Sequence, residues 1–457
     1  MNISLSCAVT FAAGLSLAAS TARAQHQHHA PADTASPLPS AHTGQHAGHE
    51  SMSHAFSRSL PMKRNGSGTG WLPDATPMYA YMRHRGPWMY MLHGAVYLRY
   101  TAQNLTHPQK RGYERTWSAP NWVMGMAQRP VGPNGLLLLR AMISLDPLTE
   151  GGNGYPLLFQ TGESFNGRPL IDRQHPHDLI SELAIGYTHR LSPRADVSVY
   201  LGYPGEPALG PTAFMHRISA FSNPDAALGH HWQDATHILF GVATVGVRVG
   251  RFKLEGSSFT GREPDENRFN FDRPRFDSYS ARLSYAPSAA WSLQASRGFL
   301  KSPEELHPDE DVNRTTASAM HSRAWAGTNR YWTSAFVWGW NEAPEHGSTH
   351  SALAETHLQL NRLGLYGRYE YVQKAAEELF EGAAAEPFGS ERVFGVNALT
   401  AGVNVQVGRF ASTLLTAGVQ GAFYAADRDL DVVYGRRPVS GQVYLRLSPD
   451  RLRMGPR

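Results

Sequence analysis

From about residue 86 to its end, the chain is a series of short segments in which apolar and polar residues alternate. In one hairpin, residues 245–249 carry Val at every second position, and the alternation resumes over residues 252–257 after the turn Gly250-Arg251. A period of two places apolar groups on one face of a strand and polar groups on the other. Repeated without any long apolar segment, this pattern is typical of a transmembrane β-barrel.

Short turns and long polar loops alternate between the segments, as expected when one end of a barrel faces the periplasm and the other the outside. We therefore predict an all-β fold, a single antiparallel outer-membrane barrel of about sixteen strands, although 14 or 18 strands also fit the pattern. An even number places both termini in the periplasm. The predicted strands are 88–101, 119–129, 136–146, 178–191, 196–204, 237–249, 252–261, 277–286, 291–300, 314–324, 330–340, 351–360, 363–374, 392–407, 410–424 and 439–448.

The N-terminal region has a different composition. Residues 1–24 are interpreted as a signal peptide with the cleavage motif Ala22-Arg23-Ala24, rather than as a membrane-anchoring helix. Cys7, the single cysteine, lies within it, so the mature chain has no thiol for disulfides or thiolate ligands. The remaining regions are a disordered His-rich periplasmic leader (25–67), a plug or barrel-entry segment (68–87), the barrel (88–448) and a C-terminal tail (449–457).

The basic residues of the chain are mostly arginine, with 37 Arg against 5 Lys. This bias suits a wet barrel interior, where guanidinium groups pair with carboxylates. No basic run with interleaved aromatic residues indicates nucleic-acid binding. The strand alternation predicts a set of charged pore-lining residues, namely Arg99, Arg140, Glu182, Arg248, Arg282, Glu355, Arg368, Glu370 and Arg446.

The leader is a candidate metal-binding segment. Flexibly spaced neutral imidazoles are good ligands for Cu(II) and Zn(II), and the leader carries seven of them: His26, His28, His29, His42, His46, His49 and His54. Methionines nearby would add thioether ligands for Cu(I), or would simply pack; these are Met52, Met62, Met78, Met82, Met89 and Met91. A low-complexity leader without a metal role is the alternative.

A second histidine group lies in two long loops. His175 and His177 precede the fourth predicted strand, and His230 and His231 precede the sixth. Imidazoles and carboxylates at the outer ends of neighbouring hairpins could converge on one Cu or Zn ion. The alternative is a hydrogen-bonded network that ties the loops to the barrel.

No enzymatic activity is predicted, because no serine lies in a nucleophile turn and no phospholipase-type motif is present. An outer-membrane hydrolase using an Asp–His pair remains a distant alternative. The charged stretch 261–268 could bind Ca²⁺ or lipopolysaccharide phosphates, or could form a salt-bridged turn. Outer-membrane lipid and lipopolysaccharide are the expected partners of the barrel.

Four motifs resemble a family of functionally unassigned bacterial outer-membrane proteins that are often found alongside heavy-metal resistance systems. They are Gly70-Trp71-Leu72-Pro73-Asp74, the stretch 154–163 (GYPLLFQTGE), the stretch 172–178 (DRQHPHD) and the stretch 229–234 (GHHWQD). The resemblance covers about residues 68–450. It implies a barrel, a link to copper and periplasmic metal-resistance proteins as partners.

The leading functional hypothesis is therefore an outer-membrane channel or binding protein that takes part in copper or other heavy-metal export or sequestration. A general porin for small solutes is the alternative. In either case the Arg/Glu interior should conduct small ions unless the entry segment or the long loops close it.

We predict that the leader dominates Cu(II) binding, because its imidazoles are flexible and solvent-accessible. Cu(II) titration of the full-length protein and of a variant without residues 25–54 tests this, and the variant should lose most of the binding. Equal affinity and stoichiometry in both proteins would contradict it and would point to His175, His177, His230 and His231.

Overall fold

The computed structural model describes residues 56–344, 347–389 and 392–452, without the side chain of residue 383. The predicted signal peptide and all seven histidines of the predicted leader lie outside these residues. Residues 56–67, which the sequence prediction placed in the disordered leader, are described and ordered, and Leu60, Met62 and Arg64 are buried against the barrel. The described chain is mostly β-structure, with helices of only one turn.

The described residues form twenty-two strands, in chain order: β1 (Tyr81–Arg85), β2 (Trp88–Gln103), β3 (Glu114–Ser118), β4 (Asn121–Val131), β5 (Gly135–Ile143), β6 (Tyr155–Pro156), β7 (Ser164–Phe165), β8 (Arg168–Pro169), β9 (Arg173–Gln174), β10 (Ile180–Ser192), β11 (Ala195–Gly202), β12 (Val242–Val249), β13 (Phe252–Phe259), β14 (Ser278–Ser288), β15 (Trp291–Leu300), β16 (Val312–Trp325), β17 (Arg330–Ala343), β18 (Gly347–Leu360), β19 (Leu363–Ala375), β20 (Val393–Phe410), β21 (Thr413–Ala426) and β22 (Val439–Pro449).

The helical turns lie between strands or before β1. Four are α-helical: α1 (Asp146–Thr149), α2 (His230–Gln233), α3 (Ala376–Leu379) and α4 (Asp431–Tyr434). Five are 3₁₀ turns: Met62–Arg64, Phe214–His216, Ala235–His237, Gly382–Ala384 and Arg428–Leu430.

The sheet closes into an antiparallel barrel. Each strand from β10 to β22 pairs with its neighbours in sequence, β5 pairs with both β4 and β10, and β22 returns to pair with β2, with Val96 opposite Leu447. β3 and β4 both pair with β2 and form two halves of one wall strand, interrupted at Ala119-Pro120, where proline lacks the N–H that a ladder needs. The wall therefore has sixteen strands, which confirms the predicted fold and strand count.

Two features of the strands differ from the sequence prediction: the start of one strand and the presence of an additional strand. The strand predicted at 237–249 begins only at Val242, because the preceding residues turn into the interior and residues 235–237 form a 3₁₀ turn. β1 has no counterpart among the predicted strands; it pairs with the first half of β2, with Tyr81 opposite Leu92. There β1 occupies the position next to β2 that β22 occupies beside the second half of β2. An antiparallel bridge between Tyr79 and Arg451 links the chain just before β1 to the chain just after β22.

The outer face of the wall is apolar. Val245, Leu254 and Tyr279 are 60–64% exposed, whereas their polar chain neighbours Thr244 and Glu255 are buried. This arrangement is the inverse of a water-soluble protein and fits a barrel surrounded by lipid. Among the residues that the structure describes, no helix is long and apolar enough to cross a membrane.

Three segments fill the interior of the barrel. The first is the entry segment (residues 56–80), which precedes β1. The second is loop A (residues 144–179), between β5 and β10. The third is loop B (residues 203–241), between β11 and β12; from residue 204 onward its residues are all buried except His216 and Ile218, which face an internal cavity. A barrel of sixteen strands otherwise leaves an aqueous interior, so these segments replace water.

Loop A crosses the interior to the opposite wall. Its residues Tyr155, Leu158 and Phe159 are buried in an apolar cluster with β19, β20 and β21. The Phe159 ring lies 5.5 Å from the ring of Tyr424 in β21. Loop A is therefore held by apolar packing at the end of the barrel that carries the long loops.

The substitution Val245→Arg, on the outer face of β12, should lower the free energy of unfolding by about 2–4 kcal/mol if the residue faces lipid near the bilayer midplane. Val432→Arg is the matched control, because Val432 is 68% exposed in the loop before β22; it should change stability by less than about 0.5 kcal/mol. Denaturant unfolding in lipid vesicles measures both. Equal effects would contradict a lipid-facing position for Val245.

Candidate functional site in the barrel interior

The entry segment is bound to the wall by arginine side chains. Arg140 of β5 donates to the backbone oxygens of Gly66, at 3.3 Å, and Gly68, at 2.6 Å. Arg282 of β14 donates to the hydroxyl of Thr69 at 2.8 Å. Trp71 is 7% exposed, so this part of the segment lies inside the barrel and not at its rim.

The middle of loop B is anchored by a buried ion-pair network. Arg217 of loop B contacts Asp234 of the same loop and Glu355 of β18, both at 2.8 Å. The second oxygen of Glu355 lies 3.3 Å from Arg368 of β19. Arg368 in turn donates to the backbone oxygens of Asp225 and Ala226, both at 3.1 Å. One connected set of ion pairs and hydrogen bonds therefore links β18 and β19 to two parts of loop B.

A second anchor holds the carboxylate of Asp225. Arg99 of β2 contacts one oxygen at 2.5 Å. The other oxygen accepts hydrogen bonds from Gln420 of β21, at 2.8 Å, and Gln442 of β22, at 2.6 Å. Nearby, Arg446 lies 3.9 Å from the ring of Phe221 and also donates to its backbone oxygen. Loop B therefore contacts the wall on both sides of the β2–β22 junction.

All nine predicted pore-lining side chains are buried and face the interior, with exposures of 5% or less. Seven contact the entry segment or loop B directly, namely Arg99, Arg140, Arg282, Glu355, Arg368, Glu370 and Arg446. Glu182 and Arg248 instead pair with wall residues, Arg140 and Asp196. The structure thus places these charges against protein rather than against a water-filled pore.

The four predicted loop histidines lie close together in the interior. The ring centroids of His175, His230 and His231 are 5.3–5.9 Å apart. His237, which the candidate set omitted, joins His230 to His177, with centroid distances of 5.2 and 5.6 Å. The sequence run 230–237 contains His230, His231 and His237 and therefore could have identified His237 as a member of the group. The helical turn α2 brings the two ends of this run close together.

The δ nitrogens of His177, His230 and His175 face carboxylates, whereas that of His237 contacts the backbone oxygen of Asp234 at 2.8 Å. His177 lies 2.7 Å from Asp146, His230 lies 2.6 Å from Asp234, and His175 lies 3.0 Å from Glu163. This arrangement leaves the ε nitrogens as potential ligands, and that of His175 has no hydrogen-bond partner among the described residues. A carboxylate behind an imidazole is also the usual support of a metal-binding histidine.

Burial keeps most of these imidazoles neutral. It lowers the pKa of His230 to about 4, despite the hydrogen bond with Asp234, and it lowers the pKa of His175 and His237 as well. His231 is the exception: burial alone would lower its pKa, but Glu263, at 3.4 Å, and Glu163 raise it. Neutral imidazoles can accept a metal ion, whereas protonated ones cannot.

Within the described ranges, no group of three or more His, Cys, Asp or Glu side chains is arranged to hold a metal ion. The loop histidines therefore form a connected, carboxylate-supported group without an assembled coordination site. The leader histidines lie outside the described residues, so the metal hypothesis for them stays a prediction.

The four motifs that carry the sequence resemblance all lie inside the barrel. Residues 70–74 belong to the entry segment, residues 154–163 and 172–178 to loop A, and residues 229–234 to loop B. The distinctive part of the sequence is therefore the interior filling and its histidine group, and not the lipid-facing wall.

Replacing Glu355 by Gln should destabilise the folded protein by about 3–5 kcal/mol, because Arg217 and Arg368 would lose a shared buried partner. The control Glu342→Gln removes an ion pair with Arg297 whose side chains are 32% and 54% exposed; it should cost less than about 1 kcal/mol. Denaturant unfolding, with limited proteolysis to detect release of loop B, measures the two effects. Similar small effects would show that the network does not anchor the loop.

No known protein family and no curated protein sequence matches the chain. Solved structures do show a related fold. OmpF of Salmonella typhi, in complex with daunomycin, aligns with a TM-score of 0.50 and 9% identity, over 80% of this chain and 100% of that one. An anion-selective porin from Comamonas acidovorans aligns with a TM-score of 0.47 and 9% identity, over 79% and 99% of the two chains. The likeness to OmpF shows that the chain has the fold of an outer-membrane porin.

Proposed function

We propose that this protein is an outer-membrane channel whose interior is closed at rest and which passes small ions or solutes when loop B is displaced. The observation that carries the proposal is the Arg217–Glu355–Arg368 network, which fastens the middle of loop B across a porin-type barrel. A channel that is closed at rest accounts both for the porin fold and for an interior filled with protein.

The type of contact supports displacement. Much of the interface between the centre of loop B and the wall consists of charged and polar groups, including Asp225 with Arg99 and Gln442. A buried ion pair adds little net stability relative to its separated, hydrated partners. Water that enters the barrel can therefore replace these contacts more readily than it could replace apolar ones. Leu228 and Trp232 of loop B would leave the apolar cluster around Phe159, but loop A would keep its apolar contacts in that cluster with β19, β20 and β21.

The base of loop B forms a natural boundary for its excision. Gly205 and Leu239 form an antiparallel bridge just beyond β11 and β12. A variant in which Gly-Ser-Gly replaces residues 207–237 keeps this bridge and the hairpin below it. In planar bilayers, the wild-type protein should be silent or of low conductance. The excised variant should show large ohmic steps, because the centre of the barrel is then open to water.

A matched deletion of residues 306–309, in the loop between β15 and β16, removes mostly exposed residues that take no part in the Arg217–Glu355–Arg368 network. It should behave like the wild type. Silence of the excised, folded barrel would contradict a channel function and favour a binding role. Large steady conductance of the wild type would contradict the closed resting state and favour a general porin.

A role in copper or other heavy-metal export or sequestration is the second candidate function. It is supported by the carboxylate-backed histidines of loops A and B, with His177, His237 and His230 in ring contact. Periplasmic metal-resistance proteins would be the partners, and outer-membrane lipid and lipopolysaccharide would surround the barrel. An enzymatic role is not proposed: the pair His230–Asp234 is buried within loop B, and the His177 ring, which is 13% exposed, is paired with the buried Asp146 within loop A.

A further inference from the structure

Methionine side chains from four separate parts of the chain converge on one internal cavity. Its volume is about 60 Å³, and it lies between the entry segment, β2, β4 and loop B. Six of the ten methionines in the described residues line it: Met62, Met78, Met91, Met124, Met126 and Met215. His93 of β2 and His216 of loop B line it as well.

The wall provides half of this set through strand register. Met91 and His93 lie two residues apart on β2, and Met124 and Met126 lie two residues apart on β4, so each pair shares the inner face. Met91 lies directly opposite Met126, and His93 lies directly opposite Met124. Cross-strand partners have Cβ atoms about 4.5–5.5 Å apart, so these four side chains form a compact block of sulfur and nitrogen atoms.

The two histidines are suited to bind a metal ion. Their ring centroids are 5.5 Å apart, and the Trp122 ring covers both, at 5.3 Å from His93 and 4.7 Å from His216. The ε nitrogen of His93 has no hydrogen-bond partner among the described residues.

Packing alone does not explain the arrangement. Methionine is a flexible side chain that normally fills irregular gaps in a core, and protein interiors leave few voids larger than a water molecule. Here six methionines surround a gap that they leave open, next to an unsatisfied imidazole nitrogen.

We propose that this methionine–histidine cavity is a binding site for a soft monovalent metal ion, Cu(I) or Ag(I). Thioether sulfur and neutral imidazole nitrogen are the ligands that such ions prefer. No carboxylate is among the described residues that line the cavity, and Lys63 lies among them. A hard divalent ion would therefore lack the carboxylate ligands and the negative charge that it needs. An ion of single charge is the best match to a ligand set without negative charge.

This proposal extends the second candidate function, a role in export or sequestration of copper or other heavy metals. It does not depend on whether the barrel conducts ions. A second cavity, lined by His177 and Asp146, shares Trp122 and Met215 with the first. An ion that leaves the thioether ligands would therefore next meet the carboxylate-supported histidines of loops A and B.

The test compares full-length mature proteins, refolded in detergent, with Met→Leu substitutions that conserve volume. The site variant is Met124→Leu/Met126→Leu/Met215→Leu. The control is Met142→Leu/Met320→Leu, whose methionines are equally buried but do not line the cavity. Far-UV circular dichroism verifies the barrel in each. Anaerobic competition with a colorimetric Cu(I) chelator gives the number of ions bound, and X-ray absorption at the copper edge detects sulfur ligands.

The site variant should bind one tight Cu(I) ion fewer than the wild type and lose the sulfur contribution, while the control keeps both. The single substitution His216→Asn, on loop B and outside the wall, removes a proposed ligand and should weaken Cu(I) binding by at least about tenfold, since even the loss of a residue that supports a ligand costs a metal site about 10–100-fold. Unchanged stoichiometry and sulfur scattering in the site variant, or an equal loss in the control, would overturn the proposal. Conductance of the loop B excision variant tests the channel separately, so the two proposals can fail independently.

Discussion

The hydrogen-bond requirement of a backbone surrounded by lipid is the constraint on which the rest of this structure depends. In hydrocarbon, each unpaired N–H or C=O group costs several kcal/mol, so strands can span a membrane only as a closed ladder. Closure between β2 and β22 satisfies this requirement. Because side chains alternate along every strand, one half of them face lipid in the closed barrel and the other half face a confined interior.

That confined interior contains many charges that need partners. Arg99, Arg217 and Arg282 are among the largest fully buried side chains of the molecule. Guanidinium groups stay charged and offer several donors in a fixed geometry, so each can bind a carboxylate and a backbone oxygen together. Arg282, for example, contacts Glu255 and the backbone oxygen of Gly210. The excess of Arg over Lys thus reflects an interior in which the wall and the inner segments bind each other.

The interior differs in chemical character from one region to another. Apolar packing around Phe159 holds loop A at the end with the long loops, and ion pairs around Glu355 hold the centre of loop B. Sulfur and imidazole groups collect beside β2 and β4. The free energy needed to admit water or a metal ion therefore differs from one region to another. The ion pairs at the centre of loop B can rearrange while loop A keeps its apolar contacts with the wall.

The sequence by itself determined the barrel: period-two alternation and the spacing of turns located its sixteen wall strands, since these are local properties of the backbone. It also determined which charges face inward, because alternation assigns each residue to a face. Only the tertiary structure decided what those charges meet. Arg217 and Glu355 lie 138 residues apart in sequence, and Met91 lines the same cavity as Met215 because of the path of loop B. Such contacts depend on where long loops fold within the barrel, and no local period encodes that path.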